Sequence, residues 1–130
     1  MSKETQIVID ALREIITNPQ HEEEKIARYF SPDYQQQVDG KRLDYQGFIG
    51  HMALLKTLTS RMSLSVLAIA GDGNTVFTHH HVKVDKKSGQ RSEIAVMARF
   101  TLASGRILRC DELTHLLVGE LEDRDLGSRG

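Results

Sequence analysis

At Arg61 the hydrophobic period of the chain changes, and this switch constrains the fold more than any other feature. Upstream, apolar side chains recur every three or four residues; downstream they alternate, as they must when successive side chains point to opposite faces of a strand. Four long β segments follow, residues 61–70, 75–86, 91–103 and 106–117, separated by Gly71-Asp72-Gly73-Asn74, Lys87-Ser88-Gly89 and Ser104-Gly105. Turns this short direct successive strands into antiparallel pairing, so the second half reads as a meander.

The first half reads as helices. Ile7, Val8, Ala11, Leu12, Ile15 and Ile16 form one stripe, Glu4, Asp10, Arg13 and Glu14 face the other way, and Asn18-Pro19 ends the helix. Glu22-Glu23-Glu24 gives a second, short helix an acidic first turn ahead of Ile26, Ala27, Tyr29 and Phe30, and Ser31-Pro32 stops it. Residues 34–38 read as a short strand, Gly40 as a turn, and Asp44 as the N-cap of a third helix carrying Phe48, Ile49, Met52, Leu55 and Leu58. Gly47 and Gly50 weaken that helix and predict close backbone packing around it. Helices first and strands later is an α+β order. Residues 1–130 are expected to form one domain, with residues 119–130 a charged tail whose end is mobile.

Bulk properties narrow the function classes. Lys+Arg 17 against Asp+Glu 18 gives a net charge of -1 with no long basic block, so nucleic acid is not an expected partner. No apolar run approaches the ~20 residues that span a bilayer, which argues against a membrane partner. Cys110 is the single cysteine and the start Met-Ser-Lys-Glu-Thr lacks the basic-then-apolar pattern of a secretory signal, so a reducing cytoplasm is expected. No glycine-rich phosphate loop occurs, and no cofactor is expected.

The order of these elements and several local words resemble the nuclear transport factor 2-like superfamily, in its SnoaL-like and ketosteroid isomerase-like branch. The words are Tyr29-Phe30-Ser31-Pro32-Asp33-Tyr34-Gln35-Gln36-Gln37-Val38, residues 40–48, Gly71-Asp72-Gly73-Asn74-Thr75-Val76, residues 100–107, Asp111-Glu112-Leu113-Thr114 and residues 123–128, the last two similar to endings of bacterial members. The resemblance covers roughly residues 5–127 and implies a cone-shaped, cystatin-like α+β barrel: three N-terminal helices packed on a curved antiparallel sheet, with a partly apolar pocket inside. It also implies a cytoplasmic homodimer formed through the outer sheet face.

Matching the last strand to members with a pocket carboxylate turns Glu112, Cys110 and Leu108 inward and Asp111 and Arg109 outward. The same comparison sends Val76, Thr78, His80 and Val82 inward and Phe77, His79, His81 and Lys83 outward. His80 and Glu112 are therefore the candidate catalytic pair, because burial raises a carboxyl pKa and a nearby carboxylate raises that of histidine; the alternative is a polar patch in which they only hydrogen-bond to each other or to backbone. Met52, Ala98, Phe100 and Cys110 are candidate ligand-binding wall, and Tyr34 or Gln37 a polar rim.

Family chemistries fit unevenly. The three positions that ketosteroid isomerases need hold Val38, Ala98 and Leu12, and a slip bringing in Asp39 would supply the base alone. The positions matched to limonene epoxide hydrolases hold His80, Val82 and Glu112, of which only the last keeps its acid. A SnoaL-type cyclase needs little beyond one carboxylate in an apolar cavity, which Glu112 or Asp111 could supply. His79 and His81 share a strand face and invite a metal, but the third ligand is missing, and a contact surface accounts for them better. Two functions remain: a SnoaL-like protein binding a small apolar metabolite, with or without acid-base catalysis, and a non-catalytic dimeric binding or assembly module. An open cavity of several hundred Å³ would favour the first, and a pocket plugged by Phe48, Met52 or Phe100 the second.

Overall fold

The computed structural model describes residues 2–119. Helices α1 (Lys3–Ile16) and α2 (Glu23–Tyr29) precede strand β1 (Phe30–Val38) and the short β2 (Lys41–Asp44); α3 (Tyr45–Leu58) then leads into β3 (Thr59–Asp72), β4 (Thr75–Lys86), β5 (Arg91–Ala103) and β6 (Arg106–Val118). The strands form one open, six-stranded sheet in the order β2-β1-β6-β5-β4-β3. The β3–β6 meander is antiparallel throughout, whereas β1 lies parallel to β6. Among the described residues, no helix is long and apolar enough to cross a membrane.

Local chemistry accounts for the element ends. Ser2 caps α1 by accepting the Thr5 N–H at 3.2 Å, and Asp44 caps α3 by accepting the Gly47 N–H at 2.8 Å. Helix α1 stops at Ile16, before Pro19, and Lys56 of α3 donates to the Ile15 and Ile16 carbonyls at 2.7 and 3.0 Å and also to that of Asn18. That ammonium satisfies acceptors the helix end leaves open, while burial draws its pKa down to about 8. Pro32 lies inside β1, in the stretch between Phe30 and Gln35 where pairing with β6 shifts register and a missing N–H costs no ladder bond.

Several expectations change. Strand β2 was not anticipated; it pairs with β1 across a tight Asp39-Gly40 turn. A Cβ on Gly47 would meet Leu43 Cδ2 at 3.1 Å, as close packing requires, but one on Gly50 would meet nothing within 4 Å. The tighter approach is at Gly71 of β3, where a Cβ would meet Thr5 Cγ2 of α1 at 2.9 Å. Residues 120–130, most of the expected mobile tail, lie outside the described residues.

The core lies between the helices and the concave face of the sheet. Val8 and Leu12 of α1, Ile26 of α2 and Phe48 and Met52 of α3 pack on Val76, Val84, Phe100 and Ile107 from the strands. Full burial of side chains such as Ile26 and Ile107 stabilises by about 1.5–3 kcal/mol each. Phe30, Tyr34 and Phe48 add three ring contacts with centroids 4.8–5.0 Å apart where α2, β1 and α3 meet.

Candidate functional site

A cavity of about 120 Å³ lies inside this core. Its walls come from α1 (Leu12, Ile15), α3 (Phe48, His51, Met52, Leu55), β1 (Tyr34, Gln36, Val38), β4 (His80, Val82, Val84), β5 (Ile94, Val96, Phe100) and β6 (Glu112, Thr114). The lining is apolar except for a few groups on β1, α3, β4 and β6. Among those, Glu112 and His80 line the same cavity.

Alternation along β4 delivers His80 as expected: Val76, Thr78 and His80 are buried, and Phe77 is exposed. On β6, Cys110 is buried and Glu112 reaches the cavity, but Leu108 does not follow them. The β5–β6 pairing slips between Thr101 and Leu102, a bulge that turns Ile107 inward in its place. On β1 the inward residues are Tyr34, Gln36 and Val38, so the expected rim residue Gln37 is corrected to Gln36; Gln37 points to the other face, where it accepts from Arg42 at 3.2 Å. The signal for Gln36 was the even spacing from Tyr34 to Val38. Met52 and Phe100 stand on the cavity wall, while Ala98 and Cys110 are buried in the core without lining it.

Glu112 sits in a polar niche between β1 and β6. The Cys110 thiol donates to Glu112 Oε1 at 3.3 Å, and the Tyr34 hydroxyl, beside that thiol, donates to Gln36 Oε1 at 2.9 Å. Burial pushes the Glu112 carboxyl up to about 7, with the Asp39 carboxylate adding to the rise and the Cys110 hydrogen bond opposing it. The same burial holds the Cys110 thiol and the Tyr34 phenol well above their ordinary values, so both are neutral donors. Asp111, by contrast, faces outward and is held below the usual carboxylate range, chiefly by Arg109, with Arg99 adding to the effect, each at 3.0 Å. Its ion pairs take it out of contention as the cavity's acid.

His80 departs from expectation. Burial, with His79 and His81 alongside, lowers its pKa to about 4, so the imidazole is neutral across physiological pH. Its Nδ1 shares a hydrogen bond of 2.9 Å with the Thr78 hydroxyl. Cross-strand rows run Thr78–Ala98–Glu112 and His80–Val96–Thr114, which separates the two Cα atoms by about 12 Å at ordinary strand spacing and rise. The two side chains therefore flank the cavity rather than exchange a proton directly.

On the outer face the His79 and His81 rings meet edge-on with centroids 5.6 Å apart. Among the described residues no group of three or more His, Cys, Asp or Glu side chains could hold a metal ion. Around them Phe77, Met97 and Leu113 are 51%, 56% and 69% exposed, and they line a hollow of about 350 Å³ beside Arg99 and Asp111.

Comparison with known proteins places this geometry. An uncharacterised protein of Schizosaccharomyces pombe is 36% identical over 128 residues, covering 98% of each chain. AclR, a candidate hydroxylase from Streptomyces galilaeus, superposes with a TM-score of 0.77 at 12% identity, over 100% of this chain and 88% of that one. An LEH-like epoxide hydrolase of M. tuberculosis gives 0.73 at 15% identity, over 87% and 83%. IdmH, a candidate polyketide cyclase from Streptomyces antibioticus, gives 0.73 at 16% identity, over 87% and 92%. At such identities the structures establish the shared α+β architecture and no common chemistry. The profile of the SnoaL-like domain family matches residues 10–110, and the chain belongs to that family.

Proposed function

We propose that this chain binds a small, neutral, largely apolar metabolite in the cavity, in the cytoplasm, and uses Glu112 as its acid-base group. The observation that carries the reading is the Glu112 carboxyl on the wall of a largely apolar cavity, where burial raises its pKa to about 7. A group balanced between its two forms near neutral pH can give a proton to a substrate oxygen or take one from carbon. His80, neutral and steadied by Thr78, serves as a hydrogen-bonding partner for a polar atom at the far end of the ligand. Tyr34 and Gln36 hold the niche around Glu112; Met52 and Phe100 supply apolar contact. Fold relatives that include an epoxide hydrolase and candidate cyclases support a small organic substrate.

The cavity volume sets the ligand's size. An apolar cavity of about 150 Å³ accepts benzene, so about 120 Å³ suits a ligand no larger than one small ring unless the walls move. Glu112→Gln keeps the shape and removes the acid. With a turned-over substrate, that variant is expected to lose about 100-fold in rate while ligand-induced NMR shifts at the Met52 methyl persist. Wild-type turnover in Glu112→Gln would remove Glu112 from the mechanism.

A second reading rests on a specific observation. The cavity is well below the several hundred Å³ of ordinary ligand sites, and Phe48, Met52 and Phe100 all stand on its wall. On this reading the chain is a non-catalytic binding or assembly module. In both readings we propose a homodimer through the outer face of β4–β6, supported by the exposed Phe77, Met97 and Leu113. Failure of any small neutral compound to shift the cavity methyls, in a chain whose native mass is that of a dimer, would favour the module.

A further inference from the structure

The turn between β1 and β2 makes a contact that its hairpin does not require. Asp39 and Gly40 both have positive φ, 52° and 85°, the geometry of a type I′ turn, in which Asn or Asp followed by Gly is favoured. From this position the Asp39 side chain reaches β6. Its Oδ1 accepts the Thr114 N–H at 2.8 Å, its Oδ2 accepts the Thr114 hydroxyl, and its own N–H donates to the Glu112 carbonyl at 3.0 Å. Regular β1–β6 pairing ends at Val38 and Glu112, so Asp39 extends the junction by two side-chain bonds. Thr114 also forms part of the cavity wall.

We propose that Asp39 is a positioning residue for Glu112: by holding β6 at Thr114 with both carboxylate oxygens, it fixes where the Glu112 carboxyl stands in the cavity and sets a negative charge beside it. The inference deepens the reading of Glu112 as the cavity's acid and rests on it. Groups around that carboxyl come from each neighbouring element: the Cys110 thiol on β6, Tyr34 on β1, Asp39 in the turn, and, elsewhere on the wall, His80 of β4 and His51 of α3. Ala98 of β5, directly opposite Glu112, brings no charge. Cys110, Tyr34 and His80 are neutral near pH 7, and Asp111 on the other face is spent on Arg99 and Arg109. Among the described residues, Asp39 is thus the anionic neighbour that bears on Glu112. Asp39 is bound to Thr114 and does not line the cavity, so it acts through Glu112 and not as a base itself.

The test is a carboxyl titration by carbon-13 NMR on the intact chain, which requires no substrate. Asp39→Asn suits the turn and keeps an acceptor for the Thr114 N–H while removing the charge; the Glu112 midpoint is expected to fall by roughly 0.5–1 unit. Asp39→Ser removes the pin as well, and amide exchange at Thr114 is expected to quicken at least about tenfold. In the wild-type chain the Asp39 carboxyl signal should itself show an inflection at the Glu112 midpoint, a readout that survives even if a variant does not fold. An unmoved midpoint in Asp39→Asn, unchanged Thr114 exchange in Asp39→Ser, or no inflection at Asp39 would overturn the proposal. A wild-type Glu112 midpoint near the ordinary 4.5 would instead overturn the reading of Glu112 as the acid.

Discussion

The two faces of strands β4–β6 are built from alternate residues of the same chain and do opposite things. The inner set, Thr78, His80, Val96, Phe100, Cys110 and Glu112, sits in or around the core and surrounds a carboxyl and an imidazole whose pKa values burial has moved in opposite directions. The outer set, Phe77, His79, Met97, Arg99, Asp111 and Leu113, keeps its ions paired in the open and leaves large apolar side chains in water. One carboxylate neighbour makes the contrast plain. Asp111 and Glu112 are adjacent in sequence, yet one is lowered by two arginines and the other raised by desolvation. A period of two is enough to put a salt-bridge residue and a titratable cavity residue side by side.

The strongest way to break this comparison is to delete a ring from each face. Phe100→Ala on the inner face is expected to cost about 3–5 kcal/mol in urea denaturation, the range for removing a buried aromatic side chain. Phe77→Ala on the outer face should stay within about 0.5 kcal/mol at concentrations low enough to dissociate any assembly. Equal losses would show that the outer ring is as integral to the fold as the inner one.

A pH series sharpens the contrast within the inner face. Glu112 has a folded pKa raised from 4.5 to about 7, so the stability it contributes is fully present below pH 4.5 and is lost as pH rises through 7. His80 has a folded pKa lowered from 6.5 to about 4, so its contribution is present above pH 6.5 and is lost as pH falls through 4. Each shift is worth about 3 kcal/mol at most, and the partial exposure of Glu112 reduces its share. Between pH 4.5 and 6.5 the two slopes oppose each other, so wild-type stability should be nearly flat there. Glu112→Gln should unmask a rise with pH from His80, and His80→Gln a fall from Glu112; flat urea midpoints in both variants would remove both shifts. The smallest effect on the fold is expected from Met97→Asp, within about 0.5 kcal/mol. Its consequence should appear in native mass, as a monomer against the dimer proposed for the wild-type chain, and a dimer in both would move the interface elsewhere.

The sequence by itself determined the α+β order, the antiparallel meander and the Asp44 cap, because each depends on periodicity or turn chemistry within a few residues. Alternation sorted the strand residues into two faces, and the family resemblance implied which face turns inward, with Val76, Thr78 and His80 on β4 and Glu112 on β6. Tertiary structure decided what alternation cannot see. The bulge that exchanges Leu108 for Ile107 lies where the β6 pairing with β5 shifts register, and β2 exists because β1 offers it an edge. The cavity volume is what helices α1 and α3 leave unfilled above the sheet. The neutral His80 reflects burial by residues distant in sequence, and the Asp39–Thr114 contact joins positions 75 residues apart. Local pattern fixes which way a side chain points; what it meets there, and therefore its proton affinity, is set by whichever elements pack across it.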